Sequence, residues 1–396
     1  MFPKPHISPD SFFHETLSTA STSTSSPPIT IYFISGNPGL ISYYHAFLSS
    51  LANRLSLGPS SSSDEEAHQV FHLLGYSLAG FELENDKTNV NASNSEKKQG
   101  GKEQDPEQEH YHDLEEQICF VRTRLEGHMR AFRREYTDSR PFGNELSKPK
   151  PKVILIGHSV GSYIAMEILR RHREKQQQQQ QQQSRHQMPE ANGHRDDREE
   201  DFDIIGGIML FPTVVDIAKS PSGRKLTFLL SIIPQLALVI SLFARFLTAL
   251  LPESMLRSLV RFAMRSPPDP AVEATASFLK SRKGVRQALH MAADEMRTIT
   301  ADKWSDDVWG VSSSGSNGDA DLLTRLFFYF GRNDHWVAEE TRDEIIALRG
   351  SAKEGPRMVV CEEALPHAFC LRHNEIMATK VAGMIHEITG LDCVLK

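Results

Sequence analysis

The 396-residue sequence predicts an α/β fold: a mostly parallel sheet with helices on both faces and a hydrophobic helical insert. Three observations carry this. Short apolar runs such as Val153 to Ile156 alternate with longer amphipathic stretches, the pattern of buried parallel strands joined by crossover helices. The run at Val153 leads through Gly157-His158-Ser159-Val160-Gly161 into a segment where Ile164, Ala165, Ile168 and Leu169 recur at helical spacing, so a tight turn presents a serine between strand and helix. Residues 214–300 place a helical insert, apolar in its first part, between two predicted strands.

Residues 1–28 are rich in Ser, Thr and Pro and are expected to form a disordered tail, with one domain over 29–396. Ile29 to Ile34 is a β-rich run ending in Ser35-Gly36-Asn37-Pro38-Gly39, a loop at the strand end where open α/β sheets build their sites. Tyr43 to Leu55 reads as a helix with Tyr44, Phe47, Leu48 and Leu51 on one face. Val70 to Tyr76 is the next strand, residues 84–112 are a charged, amide-rich surface insert, and Leu114 to Tyr136 returns to helix. The serine turn and its helix follow. Eight consecutive glutamines, Gln176 to Gln183, then mark a low-complexity insertion over 173–203, read as a tolerated loop expansion. Ile204 to Phe211, Leu326 to Phe330 and Met358 to Cys361 are strands, and Glu339 to Leu348 and Asn374 to Thr389 are helices.

Leu226 to Ala244 is 19 residues without a formal charge, with Pro234 in its middle. Three readings stand: a bilayer-spanning helix, a buried core pair, or a broken helix or hairpin lying in a lipid surface with Pro234 near the bend. Met255 to Met296 continues as amphipathic helix, interrupted at Ser266-Pro267-Pro268. Net charge is −7, so no basic field argues for nucleic acid. Four cysteines, far apart and without a C-x-x-C pair, argue against a disulfide framework or zinc ribbon and for a reducing compartment. The N-terminus lacks a basic region followed by an apolar core, so no secretory signal is expected.

A serine hydroxyl becomes a good nucleophile when a base takes its proton, and histidine titrates near neutral pH. A carboxylate on the other ring nitrogen fixes the tautomer and stabilises the imidazolium. Ser159, Asp334 and His367 occur in the order Ser, acid, His used by α/β-hydrolases, each in a loop just past a predicted strand. Asp216 also follows a strand and is a second candidate acid. His335 is expected to be structural, His373 solvated or capping, and His158 packed beneath the nucleophile. Two N–H donors must stabilise the oxyanion. One is expected from Val160, directly after the serine. The other is expected from Asn37, since Pro38 has no N–H.

These residues resemble the lipid-droplet-associated hydrolases, a branch of the α/β-hydrolase superfamily. The resemblance rests on Ile34-Ser35-Gly36-Asn37-Pro38-Gly39, Leu155 to Tyr163, Leu210-Phe211-Pro212-Thr213, Ser220 to Arg224, Tyr329-Phe330-Gly331 with Asp334 and Trp336, and Pro366-His367-Ala368-Phe369. The chain departs from it at Tyr76 to Phe81, where the family tends to show His-Ala-Gly-His, and at His335 after the acid. The resemblance implies a serine esterase with the triad Ser159, Asp334 and His367, a proposed action on sterol esters, and association with lipid droplets and the cytosolic face of the endoplasmic reticulum. No metal or organic cofactor is implied. The sequence expectation is thus a serine ester hydrolase whose insert, at about Leu226 to Leu251, is both lid and lipid-surface anchor. A droplet-coating or tethering scaffold and an acyltransferase using the same triad are the alternatives.

Overall fold

The computed structural model describes residues 4–16, 27–57, 69–83, 110–138, 150–185, 202–233, 235–311, 324–350 and 355–391. In chain order the elements before the insert are β1 (His6–Ser8), β2 (Ser11–Glu15), β3 (Ile29–Ile34), α1 (His45–Leu57), β4 (Phe71–Tyr76), α2 (Leu114–Asp138), β5 (Lys152–His158), α3 (Val160–Arg185) and β6 (Asp203–Leu210). The insert holds α4 (Pro221–Ile232), α5 (Leu236–Leu250), α6 (Glu253–Ala263), α7 (Asp269–Lys280) and α8 (Gly284–Thr298). The chain then completes the sheet with β7 (Arg325–Phe330), α9 (Glu339–Arg349), β8 (Arg357–Val360) and α10 (Asn374–Thr389).

β3 is buried at every position, which requires apolar partners on both faces because successive side chains point to opposite sides. The two layers are present. Tyr32, Val153, Leu155, Met209 and Phe328 join one core with α2 and α3, while Ile31, Phe33, Ile154, Ile156, Ile208 and Phe327 join another with α1 and α10. The strand order is β1-β2-β4-β3-β5-β6-β7-β8, with β3 to β8 paired in parallel. The carboxyl ends of β3, β5, β7 and β8 therefore open onto one edge.

The expected disordered tail over 1–28 is corrected by this sheet. β1 and β2 form a hairpin, and β2 pairs antiparallel with β4 from Ser11 opposite Tyr76 to Glu15 opposite His72. Phe12 and His14 are buried on one side of β2. The open edge of β4 supplies the partners, which overrides a Ser-rich composition; residues 17–26 lie outside the described set. The insertion expected at 173–203 is also corrected at its start, because α3 runs on to Arg185. Glutamine is a competent helix former, and the Arg170–Glu174 pair at 2.6 Å supports the turn before the tract. Residues 186–201 lie outside the described set. So do 84–109 of the first insert. Its last residues are docked: Gln287 of α8 accepts from the His112 N–H and donates to the His112 carbonyl, both at 2.8 Å.

In the insert, Ser220 caps α4 by accepting from the Gly223 N–H at 2.9 Å, with Pro221 in the first turn. α4 and α5 meet at 95°. Pro234, expected near the bend, lies outside the described set. No single helix among the described residues is long and apolar enough to cross a membrane. The buried-pair reading is corrected as well. Gly223 is the buried residue of α4, while Phe228, Phe243 and Phe246 are 63%, 64% and 62% exposed. Leu242, Leu250, Met255 and Phe262 extend this apolar face onto α6.

Candidate active site

Ser159 sits between the last residue of β5 and the first of α3 with φ of +54°, a left-handed conformation uncommon for a residue with a Cβ. The flanking glycines show why the strand can turn so sharply. A Cβ on Gly157 would lie 2.4 Å from the Gly161 carbonyl oxygen, and one on Gly161 would lie 2.3 Å from the Ile34 carbonyl oxygen. The turn is clamped from both sides. The Ser159 N–H donates to the Leu210 carbonyl and the Ser162 N–H to the Ser159 carbonyl, both at 2.9 Å. The strain at Ser159 is thereby held by two neighbouring strands and the helix it begins. Its Oγ has no hydrogen-bond partner among the described residues.

Asp334 follows β7 and His367 follows β8, and the two meet: His367 Nδ1 lies 2.7 Å from Asp334 Oδ2. Asp334 is buried, and its other oxygen accepts from the Trp336 N–H at 2.8 Å, so the carboxylate is fixed. A carboxylate accepts only, so Nδ1 carries the proton and Nε2 is left as the basic nitrogen. His158 lies beneath this pair, as expected, with its Nε2 2.9 Å from the His367 carbonyl and its Nδ1 2.8 Å from the Tyr44 hydroxyl. The carbonyl can only accept, so His158 donates from Nε2 and Tyr44 donates to Nδ1. The Tyr44 oxygen in turn accepts from the Gly36 N–H at 3.2 Å. Burial and the nearby His367 hold His158 well below its ordinary value, and burial holds the Tyr44 hydroxyl well above its own. Both stay neutral, so the loop after β3 is tied to His367 through three directed hydrogen bonds. Phe211 and Phe369 stack on one another and both meet the His158 ring, and Phe211 also meets that of His367.

Of the sequence-predicted residues, the structure gathers Ser159, Val160, Asp334, His367 and Asn37 at one sheet edge. A Cβ on Gly36, next to Asn37, would lie 3.0 Å from the Ser159 Cβ. The N–H groups of Asn37 and Val160 have no acceptor among the described residues. Asn37 instead directs its side-chain amide at α8, donating to the Ala288 carbonyl and to Glu295, each at 2.9 Å. Asp216 is not brought in: it pairs with Lys219 at 2.7 Å, and the carboxylate against His367 is that of Asp334. His335 is exposed, and His373 stands at the start of α10 without a side-chain cap. Sequence reasoning missed Tyr44 and Glu295. Tyr44 carries only a helix-face signal, and Glu295 stands in an amphipathic helix with nothing to mark it as buried. Among the described residues one group, His110, His112 and Glu116, has metal-ligand types within 4.8 Å, but Glu116 already caps α2 by accepting from the Asp113 N–H.

A sheet of this order, whose fifth strand runs into a strained serine turn, is the α/β-hydrolase fold. Residues 27–370 match the family model described as lipid-droplet associated hydrolase, and the chain belongs to that family. It is 27% identical over 238 residues to the lipid droplet-associated hydrolase of Gallus gallus, covering 60% of this chain and 59% of that protein. The Homo sapiens protein of the same name is 24% identical over 247 residues, covering 60% and 58%. The chain thus spans about three fifths of the length of these relatives. Among solved structures it is similar to haloalkane dehalogenase DbeA from Bradyrhizobium elkani, with a TM-score of 0.49, 12% identity and coverage of 97% of this chain and 100% of that one.

Proposed function

We propose that this chain is a serine ester hydrolase that works at an apolar-lipid surface. The observation that carries the reading is the buried Asp334–His367 contact at the edge that also holds Ser159 in its strained turn. In this mechanism Ser159 Oγ attacks the ester carbonyl while His367 Nε2 takes its proton. Asp334 holds the imidazolium through Nδ1. The N–H groups of Val160 and Asn37 stabilise the oxyanion. His367 then returns the proton to the departing alcohol, leaving an acyl-serine that water hydrolyses by the same steps in reverse order.

The exposed apolar face of α4, α5 and α6 supports the surface part of the reading. Burying one Leu or Phe side chain is worth roughly 1.5–3 kcal/mol, so a few inserted together outweigh the mobility lost on binding. Two helices bent at 95° suit a monolayer, which has no second aqueous face. The relatives are named for lipid droplets, and a droplet monolayer or the cytosolic face of the endoplasmic reticulum is the surface proposed here. Apolar esters dissolved beneath it, sterol esters among them, are the proposed substrates. The test compares wild type and Ser159→Ala on emulsified cholesteryl oleate, emulsified triolein and soluble p-nitrophenyl butyrate. Ser159-dependent turnover of an emulsified ester is expected; equal rates for the two proteins on all three would contradict the reading.

A further inference from the structure

We propose that Glu295 is a positioning residue: as a neutral acid it forms a two-way contact with the Asn37 amide and so holds the oxyanion loop against helix α8 of the lid. This rests on the reading of the Asn37 N–H as an oxyanion donor.

The orientation of the amide is fixed by chemistry. Asn37 Nδ2 donates to the Ala288 carbonyl and to Glu295 Oε1, each at 2.9 Å. A carbonyl only accepts, so the nitrogen must face α8. Asn37 Oδ1 is then buried with no hydrogen-bond partner. An orphan acceptor of this kind carries its full desolvation penalty, and an ionised carboxylate beside it has no hydrogen to give. A protonated Glu295 has one. It accepts from the Asn37 Nδ2–H on one oxygen and can donate from the other to Oδ1, which satisfies both groups.

The surroundings favour that neutral form. Glu295 is 4% exposed, and burial, with Asp294 adding a negative charge, pushes its carboxyl up to about 8, against which the Asn37 hydrogen bond is the smaller influence. Asp294 is itself held by the Leu114 N–H of α2 at 3.0 Å and lies 3.7 Å from Arg297. No cation pairs with Glu295 among the described residues. Of the charged groups on the elements packed against α8, which include Glu115 and Glu116 on α2, Arg224 and Lys225 on α4, Arg245 on α5, Asp269, Glu273 and Lys280 on α7 and the Asp216–Lys219 pair, none is among the influences on its carboxyl. Ionisation releases the proton to solvent and leaves two acceptors facing each other beside a loop that must hold an N–H in place.

The test uses the full chain with p-nitrophenyl butyrate as soluble probe, in wild type, Glu295→Gln and Glu295→Ala. The Gln side chain reproduces both hydrogen bonds of the neutral acid and cannot ionise. Wild-type kcat should fall roughly tenfold between pH 7 and pH 9, and Glu295→Gln should remove that fall. Glu295→Ala should lower kcat at pH 7 about tenfold with KM little changed, less than outright loss of an oxyanion donor, and Glu295→Gln should restore it. A thermal readout separates the contact from the chemistry. Between the ordinary carboxylate value and about 8 the native state binds one proton more than the unfolded chain, so wild-type stability falls as pH rises. The midpoint of Glu295→Gln should therefore gain on wild type from pH 5 to pH 8, on the order of a few degrees. Identical alkaline limbs, or identical thermal profiles, in wild type and Glu295→Gln would overturn the proposal. Wild-type turnover no higher than that of Ser159→Ala would instead overturn the functional reading beneath it.

Discussion

His158 is a buried imidazole that holds two hydrogen bonds in opposite senses, and its Tyr44 end carries a prediction. Tyr44→Phe removes the donor to His158 Nδ1 and the acceptor of the Gly36 N–H, so it should destabilise by about 1–3 kcal/mol, read as a lower urea midpoint at unchanged slope. A loss below ~0.5 kcal/mol would show that water replaces the phenol. The two candidate acids separate in the same way. Asp334→Asn breaks the tautomer control of His367 and should lower kcat by about 10⁴-fold, whereas Asp216→Asn gives up only a partly exposed pair with Lys219. A larger kinetic loss from Asp216→Asn would contradict the assignment. Ser159, Asp334 and His367 were legible because each follows an apolar run in a loop, a one-dimensional signal. Tyr44 was not, because its role depends on which turn lies above its hydroxyl in the folded sheet.

At the scale of elements, the elbow and the insert respond to different tests. Gly161→Ala drives a Cβ into the Ile34 carbonyl and should prevent soluble expression or lower the thermal midpoint by many degrees, since that carbonyl oxygen is backbone and cannot swing aside. Aspartates at Phe228, Phe243 and Phe246 should abolish flotation with phospholipid-coated triolein droplets and leave p-nitrophenyl butyrate hydrolysis intact, because these side chains already face outward. Retention on droplets would move the anchor elsewhere, and unfolding would return the segment to the core. The strands and the principal helices were legible to within a few residues from apolar periodicity. The β1–β2 hairpin was not: three and five residues in a Ser-rich stretch carry too little pattern, and their partner is an edge formed by a strand 56 residues further on. A bend near Pro234 was one of three readings of this stretch, and Pro234 itself lies outside the described set; which face stayed exposed could not be read from composition.

Across the whole molecule, burial of histidines fixes an acid weakness. His45 and His128 are pushed down to about 4 by burial, and burial also lowers His14, His72, His158 and His386. Each binds a proton in the unfolded chain below its ordinary value near 6.5 and resists it when folded. For His45 and His128 stability is therefore lost as pH falls from about 6.5 towards 4, by about 1.4 kcal/mol per pH unit for each, and the other four act in the same direction. Glu295 runs the other way over the same range and offsets about one of them. The thermal midpoint should drop steeply below pH 6.5, and a flat midpoint from pH 7 to pH 5 would contradict the buried, neutral histidines. The central claim is narrower: the fold presents Ser159 as an activated nucleophile. Its most direct measurement is a fluorophosphonate reaction on folded protein, followed by intact mass and peptide mapping. The account predicts a single adduct on Ser159, absent from Ser159→Ala and strongly slowed in His367→Ala; no adduct, or one on another residue, would contradict it.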